Sequence, residues 1–78
     1  MSIIKETIII ELANLLDKPM LDINPDTEFF NLGIDSLEAM QIFVKVQKMT
    51  QHALSPTLLF EYDTINKITD YVDSLDAA

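Results

Sequence analysis

Cysteine and arginine are missing from this chain, and glycine occurs once in 78 residues. Without cysteine there is no disulfide framework and no thiolate metal site. Without arginine, and with a formal net charge of −8, the chain lacks the basic footprint that nucleic acid requires. The same balance is poor for an anionic membrane surface and favours protein partners with basic patches. No apolar run approaches the roughly 20 residues that span a bilayer. No signal-peptide pattern opens the chain, so the expected compartment is the cytoplasm. Against these absences, 49% of the residues are apolar and 23% charged, the composition of a folded domain. One domain over 1–78 is expected. Its core supplies only ~3–5 kcal/mol of net stability.

Helical spacing dominates the pattern. Residues 3–16 place Ile4, Ile8, Leu12, Leu15 and Leu16 along one side of a first helix, with Ser2 as N-cap. Ile3 and Ile10 fall on its far side, and Pro19 marks the exit. Residues 17–35 carry no helical period. Their length points to a loop that is functional or disordered, and Leu21, Ile23, Phe29, Phe30 and Leu32 argue against disorder because they can pin it to the core. Residues 36–49 form a second helix. "SPTLLFEY" predicts a short third helix capped by Ser55 with Pro56 at its first position. A last helix begins after Asp63 or Thr64 and carries Ile65, Ile68, Val72 and Leu75, with Tyr71 beside them. No strand alternation appears. The expectation is an all-α fold: a small four-helix bundle of three longer helices and one short helix, with a long ordered loop between the first two.

The single glycine stands at position 33, in "FFNLGIDSLEAMQ", just ahead of Asp35 and Ser36. Two readings of that stretch stand side by side. In the first, Asp35 caps the second helix, Glu38 completes a capping box, and Gly33 supplies a positive φ angle for the turn. In the second, the cap leaves the Ser36 hydroxyl free at the positive end of the helix, a good place to carry a phosphate ester. A serine-hydrolase reading fails. The only histidine, His52, lies about 24 Å along a straight helix from Ser36, no G-x-S-x-G elbow exists, and the chain is too small for its sheet. His52 is expected in a solvated loop. A calcium loop over Asp22, Asn24, Asp26 and Glu28 fails as well, because Thr27 stands where glycine is needed and Gly33 where the bidentate glutamate belongs. No metal site is expected.

"DTEFFNLGIDSLEAMQI" resembles the phosphopantetheine attachment region of acyl carrier proteins, which opens their second helix with L-G-x-D-S-L. The long first loop, the helix order and "SPTLLFEYDTI" are also similar to carrier domains, most of all those of polyketide synthases. The resemblance implies a non-catalytic carrier. Ser36 would bear a 4′-phosphopantetheine arm taken from coenzyme A, with Gly33, Asp35 and Leu37 shaping the attachment site. The thiol that the chain lacks would belong to the arm and hold acyl or polyketide intermediates as thioesters. The implied partners are a phosphopantetheinyl transferase, a ketosynthase, an acyltransferase and other polyketide or fatty-acid synthase enzymes, served by a monomer. Asp35 matches the acyl pattern, whereas peptidyl carriers usually hold another residue there.

One departure from fatty-acid carriers, whose second helix is rich in acidic residues, stands out. Segment 36–48 has one glutamate, Glu38, against two lysines, Lys45 and Lys48, a net +1 that leaves −9 for the rest of the chain. On a helical wheel Glu38, Gln41, Lys45 and Lys48 share one arc, roughly opposite a core face of Ala39, Ile42, Phe43 and Val46. Leu37, Met40 and Val44 form a second apolar arc on the flank. Buried, they would only widen the core stripe. Exposed beside Ser36, they form a docking patch with Glu38, Lys45 and Lys48 at its rim, the arrangement the resemblance implies. The rival for the whole molecule is a small acidic helical protein–protein interaction module whose Asp35-Ser36 is only a cap.

Overall fold

In the computed structural model, which describes residues 2–77, Ser2 lies in extended backbone and its Oγ accepts the N–H of Lys5 at 3.2 Å. That cap opens α1, Ile3–Leu16. The helix stops where Asp17 adopts a left-handed φ of 54°, and Lys18 N–H closes back on the Ala13 carbonyl at 3.0 Å. Glycine usually fills such a position, and aspartate is one of the few side chains that tolerate it. The other helices are α2, Ser36–Met49, α3, Leu58–Glu61, and α4, Ile65–Ala77. The four-helix, all-α expectation holds. Glu28 and Thr64 make one isolated antiparallel bridge, and the described residues contain no strand.

Helix α1 packs against both α2 and α4, and α3 rests on α2. The seam is built from fully buried side chains at helical spacing: Ile8 and Leu12 of α1, Ile42 and Val46 of α2, Ile68 and Val72 of α4. The α2 core face is the expected one. Phe43 and Ala39 are buried beside Ile42 and Val46. Ile3 and Ile10 are exposed on the far side of α1, as the spacing predicts.

The long loop is ordered by two 3₁₀ turns, Met20–Asp22 and Phe29–Asn31, and by a seam to the start of α4. Phe29 N–H donates to the Asp63 carbonyl at 2.9 Å, and Asn66 N–H donates to that of Pro25 at 3.1 Å. Asn66 Nδ2 donates to Asp26 Oδ1 at 2.7 Å. Ile23 and Phe29 are buried, and Leu32 packs partly buried on the core. Two expected anchors are not anchors. Leu21 is 98% exposed, and Phe30 turns outward to stack on Phe60, ring centroids 5.3 Å apart. Each 3₁₀ turn buries at most one side chain, and in the second that side chain is Phe29. Ile34, overlooked in the sequence, is buried instead.

The third helix also begins later than expected. Ser55 and Pro56 form a turn in which Ser55 Oγ accepts the Thr57 N–H at 3.3 Å and the Ser55 carbonyl accepts that of Leu58 at 3.0 Å. Pro56 therefore lies in the turn, and α3 starts at Leu58. Thr64 opens α4, its Oγ1 accepting the Lys67 N–H at 3.1 Å.

Candidate functional site

Position 36 is set by the residues before it. Gly33 adopts φ +108°, which L side chains rarely accept. An added Cβ would meet only Leu16 Cδ2, at an ordinary 3.6 Å, so the glycine is there for its backbone and not for space. Ile34 then drops into the core and pegs the chain between that turn and α2. Asp35 follows in extended backbone as the N-cap. Its Oδ1 accepts the Glu38 N–H at 2.8 Å, and Glu38 Oε1 accepts the Asp35 N–H at 3.1 Å, the reciprocal capping box.

With Asp35 as the cap, Ser36 is the first helical residue, exposed. The chain has four serines. Ser2 caps α1, Ser55 Oγ pairs with Thr57 Oγ1 at 2.8 Å, and Ser74 Oγ donates to the Tyr71 carbonyl at 2.6 Å. Among the described residues the Ser36 hydroxyl makes no hydrogen bond, and the N–H groups of Ser36 and Leu37 have no acceptor. One hydroxyl and two free amides therefore share the first turn of α2, which suits a phosphate ester. The carboxylates of Asp35 and Glu38 stand in the same turn. They repel a free anion, so a phosphate here is held by its covalent bond more than by the field.

The outward face of α2 carries the apolar arc as an exposed patch. Leu37 is 69% exposed, Met40 40% and Val44 45%. Together with Gln41, Lys45 and Lys48 they line one open groove. The core arc is centred between Val46 and Ala39, and the direction opposite that centre falls between Leu37 and Lys48, with Val44 and Gln41 on either side. Glu38 is not a groove residue. It is half-buried and engaged in the capping box. Lys45 Nζ reaches across to Glu11 Oε2 of α1 at 3.0 Å, whereas Lys48 makes no ion pair among the described residues.

Residues outside this face serve the fold. His52, expected to be simply solvated, is about half exposed but lies 3.4 Å from Asp76 Oδ1, which also accepts the Thr50 hydroxyl at 3.0 Å. This joins the end of α2 to the end of α4, at the opposite pole from Ser36. In the loop, Asn24 Oδ1 accepts the Asp26 N–H at 2.9 Å and Asp26 binds Asn66, so the acidic turn fastens the loop to α4. Among the described residues no three His, Asp or Glu side chains converge as a metal site would need. No helix among the described residues is long and apolar enough to cross a membrane.

Comparison with known proteins places this geometry in a family. The family model described as "phosphopantetheine attachment site" matches residues 6–72. The chain is 36% identical over 64 residues, 81% of its length, to phenolphthiocerol synthesis polyketide synthase type I Pks15/1 of Mycobacterium bovis, and covers 3% of that protein. It is 42% identical over 50 residues, 64% of its length, to the mycoketide-CoA synthase of Mycobacterium tuberculosis, and covers 1% of it. The chain thus spans a small fraction of these curated relatives. Among solved structures, a free-standing peptidyl carrier protein from a secondary metabolic pathway of Acinetobacter baumannii superimposes with a TM-score of 0.80 at 31% identity, covering 91% of this chain and 89% of that one.

Proposed function

The chain belongs to the family of phosphopantetheine attachment domains, and from that premise we propose that Ser36 is the residue that bears the arm and that the chain shuttles acyl or polyketide intermediates between the enzymes of an assembly line. The family's members carry and do not catalyse. The group supplies, when bound, a terminal thiol on which acyl chains ride as thioesters.

The observation that carries this reading is the disposition of the four serines. Three are engaged in hydrogen bonds, while Ser36 presents an unengaged hydroxyl in the first turn of α2. Asp35 takes over the capping that a serine at a helix start usually performs. Gly33 and Ile34 hold that turn against the core, so the hydroxyl is offered to another protein's active site at a defined place. The partner that modifies it is a phosphopantetheinyl transferase. Those that use the loaded form are a ketosynthase, an acyltransferase and related synthase enzymes, a reading supported by the identity to polyketide synthases. Asp35 supports acyl over aminoacyl cargo, although the solved relative cited above is a peptidyl carrier.

The test is acyl loading. Incubated with acetyl-coenzyme A and a broad-specificity phosphopantetheinyl transferase, the chain is expected to gain one acetyl-phosphopantetheinyl unit. Neutral hydroxylamine should then remove the acetyl group alone. Ser36→Ala should gain nothing while keeping its helical circular dichroism. A wild-type chain that gains no mass, beside a control carrier that does, contradicts the proposal.

A further inference from the structure

At the groove on α2 the surface departs from the acidic character of the whole molecule. The chain carries −8 overall, yet the charged side chains lining this groove are Lys45 and Lys48, and its floor is Leu37, Met40 and Val44. The lysines stand about 14 to 18 Å along the helix from Ser36, at 1.5 Å per residue. The opposite sign is concentrated at the other end, where Asp35 and Glu38 form the capping box. The groove is thus apolar near Ser36 with ammonium groups at its far end, and the capping-box carboxylates of Asp35 and Glu38 lie outside it at the first turn of α2. A surface that docks along it meets two signs in a fixed order, and like charges placed opposite each other oppose the wrong register.

We infer that this groove receives an apolar side chain from a partner protein whose surface is acidic where it covers Lys45 and Lys48. This rests on the reading of Ser36 as the site of the arm, since the enzyme that receives the arm must approach along α2. Charge complementarity selects the occupant. Two lysines on a body that is otherwise −10 are repelled as a whole by an anionic bilayer and attract anions only at short range, within the ~8 Å over which salt leaves charges unscreened. A local cluster of carboxylates on a folded partner meets that condition. The two lysines are not equivalent. Lys45 is held by Glu11 at 3.0 Å, and Lys48 has no partner among the described residues. Lys48 is therefore the stronger determinant.

The chain, labelled with ¹⁵N, can be titrated before and after loading with two synthetic amphipathic helical peptides that share one leucine pattern, one with glutamate and the other with lysine at the polar positions. The glutamate peptide is expected to shift the amides of Leu37, Met40, Val44 and Lys48, and to lose affinity as salt is raised. Lys45→Glu with Lys48→Glu should weaken it about five- to tenfold, the size of losing two exposed ion pairs, with Lys48→Glu alone giving most of the effect. Glu11→Gln, which frees Lys45, should strengthen it about twofold. The inference is overturned if the glutamate peptide leaves the α2 amides unmoved, if charge reversal leaves its affinity unchanged, or if the lysine peptide binds this groove more tightly. Loading of the wild-type chain by a transferase is measured separately. Its failure would remove Ser36 as the arm site without touching the peptide result, and a failed titration on a properly loaded chain would remove only the groove's partner.

Discussion

Gly33→Ala asks one residue to do what its side chain resists. The neighbouring space accommodates a Cβ, so the cost is conformational, about 1–3 kcal/mol for a residue held outside the favoured backbone regions. Urea unfolding should show that loss, and the first turn of α2 should exchange its amide hydrogens faster. The opposite case is Thr69, buried at 3% exposure with no partner for its hydroxyl among the described residues. Thr69→Val keeps the shape and removes a desolvated polar atom, so thermal melting is expected to be unchanged or raised by up to about 1 kcal/mol. Gly33 was legible in the sequence because only one glycine exists and a helix start follows it. Leu21 and Phe30 were not. Composition says that a loop holds apolar residues, but which of them turns inward is decided by the two 3₁₀ turns and by the bonds from Phe29 and Pro25 to the start of α4, contacts between segments far apart in sequence.

At the scale of the element, α2 was the most readable part of the chain. Its cap, its bounds and its core face followed from spacing and from the Asp35–Glu38 pair. Asp35→Ala should cost about 0.5–2 kcal/mol, whereas Ser36→Ala should leave stability almost unchanged, because that hydroxyl holds nothing. On the outer face the choice between a widened core stripe and an exposed patch could not be made from spacing alone, since it depends on how far α1 and α3 wrap around the helix. In the structure Leu37 points away from the core, and Met40 and Val44 are exposed beside it. Met40→Ala should therefore shift stability by no more than about 0.5 kcal/mol, as surface substitutions do, while slowing acyl transfer from the loaded chain to its synthase partner. A melt far below wild type would return Met40 to the core. The late start of α3 has a similar lesson. Pro56 suits the first helical position and a turn equally, and Ser55 selects the turn by bonding Thr57.

The molecule as a whole depends on a thin core. Leu12 and Ile68 are fully buried and Phe43 nearly so. Truncating any one to alanine should cost ~2–5 kcal/mol, against a total of only ~3–5 kcal/mol. Each variant is expected to be largely unfolded or molten at 25 °C, and cooperative melting near the wild-type temperature would show that the helix faces are wrongly paired. The same core holds the loop, Ile34 and the α2 terminus in register, so it fixes where Ser36 stands. Because each of the other three serines is engaged in a hydrogen bond, the most direct measurement is the location of the arm. After reaction of the wild-type chain with coenzyme A and a transferase, fragmentation of the intact protein should place a single phosphopantetheinyl group on Ser36 and none on Ser2, Ser55 or Ser74. An arm found on any of those three, or none on Ser36 when a control carrier is fully modified, would contradict the account.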